Sequence, residues 1–118
     1  MEVRISRLGA RGDGIADTPD GPLYVSLTVP GDVAEVRPGK PRGDGRAAEL
    51  LRIVAPGPDR RDAACRHFGA CGGCALQHVA DGAYRDWKRA RVAEALRRQG
   101  LEAETGPAFA VPPGTRRR

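Results

Sequence analysis

A chain of 118 residues has room for one ordinary domain, or a small domain with an appendage, but not for two full-sized ones, so a large catalytic core is not expected to be complete within it. The formal net charge is +5, and 18 of the 20 basic residues are arginine, whose planar guanidinium suits bidentate phosphate contacts and stacking on bases. Nucleic acid is the partner that this charge favours, although a GC-rich genome produces the same arginine bias. The surplus lies late in the chain: residues 1–80 carry 11 basic and 10 acidic side chains, and residues 81–118 carry 9 and 5. The opening "MEVRISRLGA" mixes charge into its first residues and contains no apolar run, so neither a secretory signal nor a membrane span is expected, and a cytoplasmic location follows by default.

In chain order, residues 2–54 read as short strands separated by turns. Val3 and Ile5 alternate with Arg4 and Ser6, and "GARGDG" supplies a turn. Ile15 and Ala16 open a second strand, and Leu23, Val25 and Leu27 alternate with Tyr24, Ser26 and Thr28. A turn at Pro30-Gly31-Asp32 leads to Val33, Ala34 and Val36. The polar "RPGKPRGDGR" follows, and "AAELLRIV" is expected to be a strand because it is short, ends in Ile53-Val54 and is stopped by Pro56. Four or five strands in so short a span predict a small barrel of modest core, over residues 1–56. The stretch "APGPDRRDAAC" reads as a loop joining the barrel to a cysteine segment, the two together spanning 57–80. Residues 81–100 carry the strongest helical pattern, with Asp81 as the expected N-cap, Gly100 as the stop, and Tyr84, Trp87, Val92, Ala95 and Leu96 on one apolar face. Residues 101–118 read as the start of a truncated central domain, because "GPAFAVPPGTRRR" ends without an element to finish on. The overall class is α+β, mainly β.

All three cysteines fall within "CRHFGACGGCALQH", as Cys65, Cys71 and Cys74. An odd, close set in a reducing compartment reads as metal or cluster ligands rather than disulfide partners. The C-G-G-C pair can direct two thiolates to one centre, and glycines between them let the backbone pass close to it and expose N–H groups to sulfur. Three thiolates fit a cubane cluster that lacks one protein ligand, or zinc with His67 or His78 as the fourth; the spacing leaves both open. The glycine-bearing "GARGDG" and "PGKPR" lack the setting of nucleotide-binding loops and read as turns. No catalytic triad or carboxylate pair is legible, so no catalytic residue is assigned.

The cysteine run, with the upstream "VPGDVAEV" and "IVAPGPDRR" and the downstream "YRDWKRARVAEAL", resembles the N-terminal portion of bacterial 23S rRNA uracil-C5 methyltransferases, over essentially the whole chain. That family joins an N-terminal TRAM domain, a 4Fe-4S segment and a C-terminal domain that binds S-adenosylmethionine. The resemblance implies an oligonucleotide-binding-like (OB-like) barrel that contacts RNA, with 23S rRNA as the partner. It implies that Cys65, Cys71 and Cys74 are three of four ligands of a 4Fe-4S cluster, with the fourth cysteine beyond Arg118. It also places the S-adenosylmethionine site and the catalytic residues outside this chain, so that the chain alone is expected to be inactive. Arg4, Arg7, Arg11 and Arg37 are the candidate phosphate contacts of the barrel, offered as a patch. The alternative is a stand-alone RNA-binding module with a structural zinc. A radical methylthiotransferase does not fit, since that family spaces its cluster cysteines differently and carries its TRAM domain at the other end.

Overall fold

The computed structural model describes residues 1–71, 74–102 and 104–108. Six strands form one sheet: β1 (Glu2–Arg4), β2 (Arg7–Leu8), β3 (Gly14–Thr18), β4 (Gly21–Val25), β5 (Val33–Arg42) and β6 (Gly45–Ala55). The order is β1-β5-β6-β4-β3-β2, antiparallel except for β4 against β6. Only Ile5 and Ser6 separate β1 from β2. The N–H of Ile5 donates to Asp32 O at 2.8 Å and that of Ser6 to Ile15 O at 2.8 Å, so one bent N-terminal strand pairs with β5 at one end and β3 at the other. The sheet thereby closes on itself, which leaves the small OB-like barrel expected from the sequence.

Period-two alternation places Val3, Ile5, Ala16, Leu23, Val25, Ala34 and Val36 inside, with Ala48, Leu50 and Ile53 packed against them. The buried members are all aliphatic, each worth roughly 1.5–3 kcal/mol for the larger side chains, so the core is thin for a chain of this length. Strand β6 begins at Gly45, where a Cβ would meet the carbonyl oxygen of Pro22 at 1.9 Å; β4 and β6 approach too closely there for any side chain.

The expected turn at "PGKPR" is instead part of β5, and the reversal is confined to Gly43 and Asp44. The prolines are tolerated because β1 pairs with β5 only as far as Glu35, and the register between Pro38 and Pro41 shifts against β6.

Helix α1 (Asp81–Arg98) matches the sequence reading, with two differences. Asp81 is the first helical residue rather than the cap: Ala80 occupies the cap position without a side-chain bond, and the Asp81 carboxylate is drawn to Arg61 Nη1 at 2.5 Å. The expected apolar face is only partly covered, since Tyr84, Trp87 and Leu96 are half-buried whereas Val92 is 55% exposed and Ala95 is exposed. The end follows the Schellman pattern: Gly100, at φ 76°, donates to Arg97 O at 2.9 Å and Leu101 to Leu96 O at 2.9 Å. Among the described residues no helix is long and apolar enough to cross a membrane.

Candidate functional site

The polypeptide between barrel and helix is tied down through one buried carboxylate. Asp32, fully buried, accepts hydrogen bonds from Val29 N at 2.8 Å and Gly57 N at 2.7 Å, and pairs with Arg60 through Nη2 at 2.7 Å. Arg60 Nη2 also donates to Leu27 O at 2.7 Å. Burial alone would raise the Asp32 pKa, but the Arg60 bonds and the two backbone N–H groups outweigh it and hold the carboxyl below the usual carboxylate range. Arg60 also forms an antiparallel bridge with Val79, and beside it Arg61 N donates to His78 O at 2.9 Å and Ala80 N to Asp59 O at 2.7 Å. These bonds close the neck of the cysteine-bearing loop.

Above this neck, the Gln77-His78 pair fixes the loop to its surroundings. Gln77 Oε1 accepts the Cys65 N–H at 3.0 Å. His78 is buried with Nε2 at 2.9 Å from Thr28 O, and its ring stacks on Phe68 at 5.4 Å. Because a carbonyl only accepts, Nε2 carries the proton. Burial pushes the His78 pKa down, aided by nearby Arg60 and opposed by Thr28 O and Asp32, so the imidazole is neutral. His78 is thus anchored to the barrel through Nε2, while its buried Nδ1 has no hydrogen-bond partner among the described residues.

Cys65, Cys71 and Cys74 are exposed and free. Residues 65–71 form consecutive turns in which Phe68 N donates to Cys65 O at 3.1 Å and Cys71 N to His67 O at 2.9 Å. The His67 N–H points at Cys65 Sγ at 3.4 Å, the kind of N–H···S contact that stabilises a thiolate. His67 itself is exposed, with Arg66 Nε donating to its Nε2 at 3.4 Å. The donor set is soft, three thiols on one loop, and suits a thiolate-bound centre. Among the described residues, no three His, Cys, Asp or Glu side chains converge on a common point. The glycines expected to wrap the centre, Gly72 and Gly73, lie outside the described residues, as do residues 109–118, on which the expectation of a truncated central domain partly rests.

A second feature lies on the outer surface of the barrel. The cross-strand row Arg7, Ile15 and Tyr24 lies on the face away from the core cluster, and the buried Ile15 and half-buried Tyr24 floor a groove of about 420 Å³. One wall is the β2–β3 turn, Gly9–Asp13; the other is Arg42 and Gly43 at the β5–β6 turn. The Arg42 guanidinium lies over the Tyr24 ring, 4.8 Å from its centroid, and pairs with Asp13, which also accepts from Ser26 Oγ at 2.9 Å. The Tyr24 hydroxyl donates to Asp44 at 2.5 Å, which pushes its pKa up and keeps the phenol protonated. The wall at Gly9–Asp13 is braced from outside: Trp87 Nε1 donates to Gly9 O at 3.0 Å, and Leu76 packs against Gly12.

The four arginines named from the sequence are dispersed. Arg11, exposed, borders the groove; Arg7 stands in the same outward row but pairs with Asp17 at 2.7 Å. Arg37 pairs with Glu49 at 2.8 Å on the β5–β6 ribbon, and Arg4 is exposed on β1, which pairs with β5 rather than with β3 or β4. Sequence reasoning missed Tyr24 and Arg42. An aromatic at an outward position of the alternating "LYV" was the available signal.

No protein-family model matches the chain. It is 48% identical over 119 residues to an uncharacterised RNA methyltransferase of Caulobacter vibrioides, covering 100% of this chain and 28% of that protein. A Brucella suis uncharacterised RNA methyltransferase is 46% identical, covering 99% and 27%. The 23S rRNA (uracil(1939)-C(5))-methyltransferase of Pseudomonas putida is 37% identical over 125 residues, covering 100% and 27%. Among solved structures, the Pyrococcus abyssi tRNA (uracil-54, C5)-methyltransferase, in complex with S-adenosyl-L-homocysteine, superimposes with a TM-score of 0.59 and 26% identity over 91% of this chain and 23% of that one. The chain spans about a quarter of the length of these proteins. Along its whole length it is a relative of RNA methyltransferases, and the resemblance to the 23S rRNA uracil-C5 methyltransferase family carried by its cysteine segment extends to all of it.

Proposed function

We propose that this chain is the N-terminal RNA-binding and iron-sulfur portion of an S-adenosylmethionine-dependent RNA uracil-C5 methyltransferase acting in the cytoplasm. The observation that carries the reading is similarity to RNA methyltransferases over the full chain, joined to a uracil-C5 methyltransferase as structural neighbour. In this reading residues 1–56 are a TRAM-like barrel that grips RNA, 57–80 carry the cluster loop, 81–100 are a helix leading onward, and 101–118 begin a central domain. The RNA is 23S rRNA, as for the Pseudomonas putida relative; the tRNA enzyme among the neighbours makes tRNA the substrate to test beside it. S-adenosylmethionine binding and methyl transfer belong to the remainder of the protein, and this chain alone is inactive.

Cys65, Cys71 and Cys74 would hold a 4Fe-4S cluster, with a fourth ligand from elsewhere. Uracil methylation needs no electron transfer, so a cluster held here would supply a structural crosslink. The chain's own residues prepare for it: Gln77 holds the Cys65 backbone, the His67 N–H faces Cys65 sulfur, and His78 pins the loop to the barrel. Anaerobic reconstitution followed by iron, sulfide and zinc analysis, with a visible spectrum, tests this on the full chain and on Cys71→Ser and Cys74→Ser. Iron and sulfide bound by the parent chain and lost in the variants are expected. Stoichiometric zinc instead would transfer the reading to a stand-alone module with a structural zinc, for which His67 and His78 are the candidate fourth ligands. Incubation with labelled S-adenosylmethionine and a 23S rRNA transcript is expected to give no methyl transfer; transfer by this chain would overturn its assignment as the non-catalytic portion.

A further inference from the structure

A barrel that grips RNA needs a place for it, and the outward groove supplies one of definite shape. Resting on that RNA-binding role, we infer that the groove between the β2–β3 and β5–β6 turns seats one unpaired nucleotide of a single strand. Its base stacks on the layered Tyr24 and Arg42 side chains, and its phosphate is met by Arg11. Three observations support this. The stacking surface is assembled before any ligand arrives: Asp44 holds the Tyr24 hydroxyl, and Asp13 together with Ser26 holds the wall to which Arg42 is paired. A platform fixed in this way loses little side-chain freedom on binding, and bases stack on both aromatic rings and guanidinium planes.

The groove is open along one side and, at about 420 Å³, lies at the small end of the range for small-molecule sites. That volume is ample for one splayed base. Of the two carboxylates beside the groove, Asp13 is paired with Arg42 and Asp44 is bonded to the neutral Tyr24 hydroxyl, while Arg11 is exposed and forms no ion pair among the described residues. Placement agrees as well, since the two turns that wall the groove correspond to the loops that flank the ligand face of OB-like barrels in general. A single stacked base also matches the composition: of five aromatic residues, Tyr24 alone lies on the barrel.

The test is fluorescence anisotropy of the full chain with a labelled single-stranded RNA of about eight nucleotides and with the same strand in a duplex. The single strand is expected to bind more tightly. Tyr24→Ala should weaken single-strand binding by roughly 5- to 150-fold, the range for losing one base–aromatic stack, whereas Tyr24→Phe keeps the ring and should stay within about threefold of the parent. Arg11→Ala should flatten the log-log salt dependence by about 0.7, one single-strand phosphate contact. Tyr24→Leu, which fills similar space without a π face, replaces the alanine variant should that one unfold by circular dichroism. A folded Tyr24→Ala or Tyr24→Leu chain that binds as the parent does, or an unchanged salt slope in Arg11→Ala, overturns the groove while leaving RNA binding intact. Absence of RNA binding by the parent chain at low salt overturns the RNA-binding reading itself, and the groove with it.

Discussion

Replacing Asp32 with alanine is the perturbation that bears hardest on the architecture. The carboxylate is fully buried, receives two backbone N–H groups, and is paired with Arg60, which is 23% exposed. Removing one partner of a buried ion pair costs about 3–5 kcal/mol, and an orphaned buried N–H costs about 1–3 kcal/mol. These contributions overlap, because the site relaxes and water enters beside Arg60, so we expect about 4 kcal/mol. Domains of this size hold roughly 5–15 kcal/mol in total, and a slope of about 1.5 kcal/mol per molar urea turns that loss into a midpoint shift of about 2.7 M. The assay is urea denaturation followed by far-ultraviolet circular dichroism and by fluorescence of Trp87, whose indole is bonded to Gly9 of the barrel. Arg37→Ala is the control, since the Arg37–Glu49 pair is about two-thirds exposed on both sides and should contribute about 0–1 kcal/mol. Should Asp32→Ala prove no more costly than Arg37→Ala, the buried carboxylate is not what fastens the linker to the barrel, and the reasoning fails.

Two further outcomes come from the same chemistry. Both Asp32 and His78 have lowered pKa values in the folded chain, so in each case the unfolded chain takes up the proton first as pH falls. The His78 contribution is therefore complete above its ordinary value of 6.5 and declines as pH drops below it, and the Asp32 contribution declines only below 3.8. A urea midpoint that does not change between about pH 7.5 and pH 5 would refute the buried neutral imidazole. At the β4–β6 approach, Gly45→Ala sets a Cβ against the Pro22 carbonyl and should cost about 2–4 kcal/mol, whereas Gly43→Ala meets no atom within 4 Å and is charged only for its φ of 56°, about 1 kcal/mol. Equal urea midpoints for the two variants would contradict that close approach.

Most strands and the helix are legible in the sequence because their signals are local. Alternation at Leu23-Tyr24-Val25 and at Ala34 and Val36 reflects which side chains face the core, and Gly100 marks the helix end through its backbone conformation alone. The "PGKPR" stretch defeats a local reading because the edge and bulge that tolerate Pro38 and Pro41 depend on which strands pair with β5, which composition does not encode. Asp81 departs from its expected capping role for a similar reason: Arg61, 20 residues earlier, captures its carboxylate. Around the candidate site, the sequence shows only separate segments. "VPGDVAEV" and "IVAPGPDRR", which carry part of the family resemblance, are the two halves of one buried contact between Asp32 and Arg60, and the Gln-His that closes the cysteine motif is its clamp. Those pairings join residues far apart in the chain, so spacing does not disclose them.

The contact between Asp32 and residues 57–60 also bears on how separable the pieces are. A barrel excised after Pro56 would keep every strand and its aliphatic core, yet it would carry a carboxylate stripped of the Gly57 N–H and of the Arg60 guanidinium. It would also lose Leu76 and Trp87, which brace the Gly9–Asp13 wall from outside. The segment after the barrel thus completes its interior electrostatics, and the helix beyond steadies its outer surface. In modular terms the cysteine loop is less a separate domain than an insertion between two parts of one.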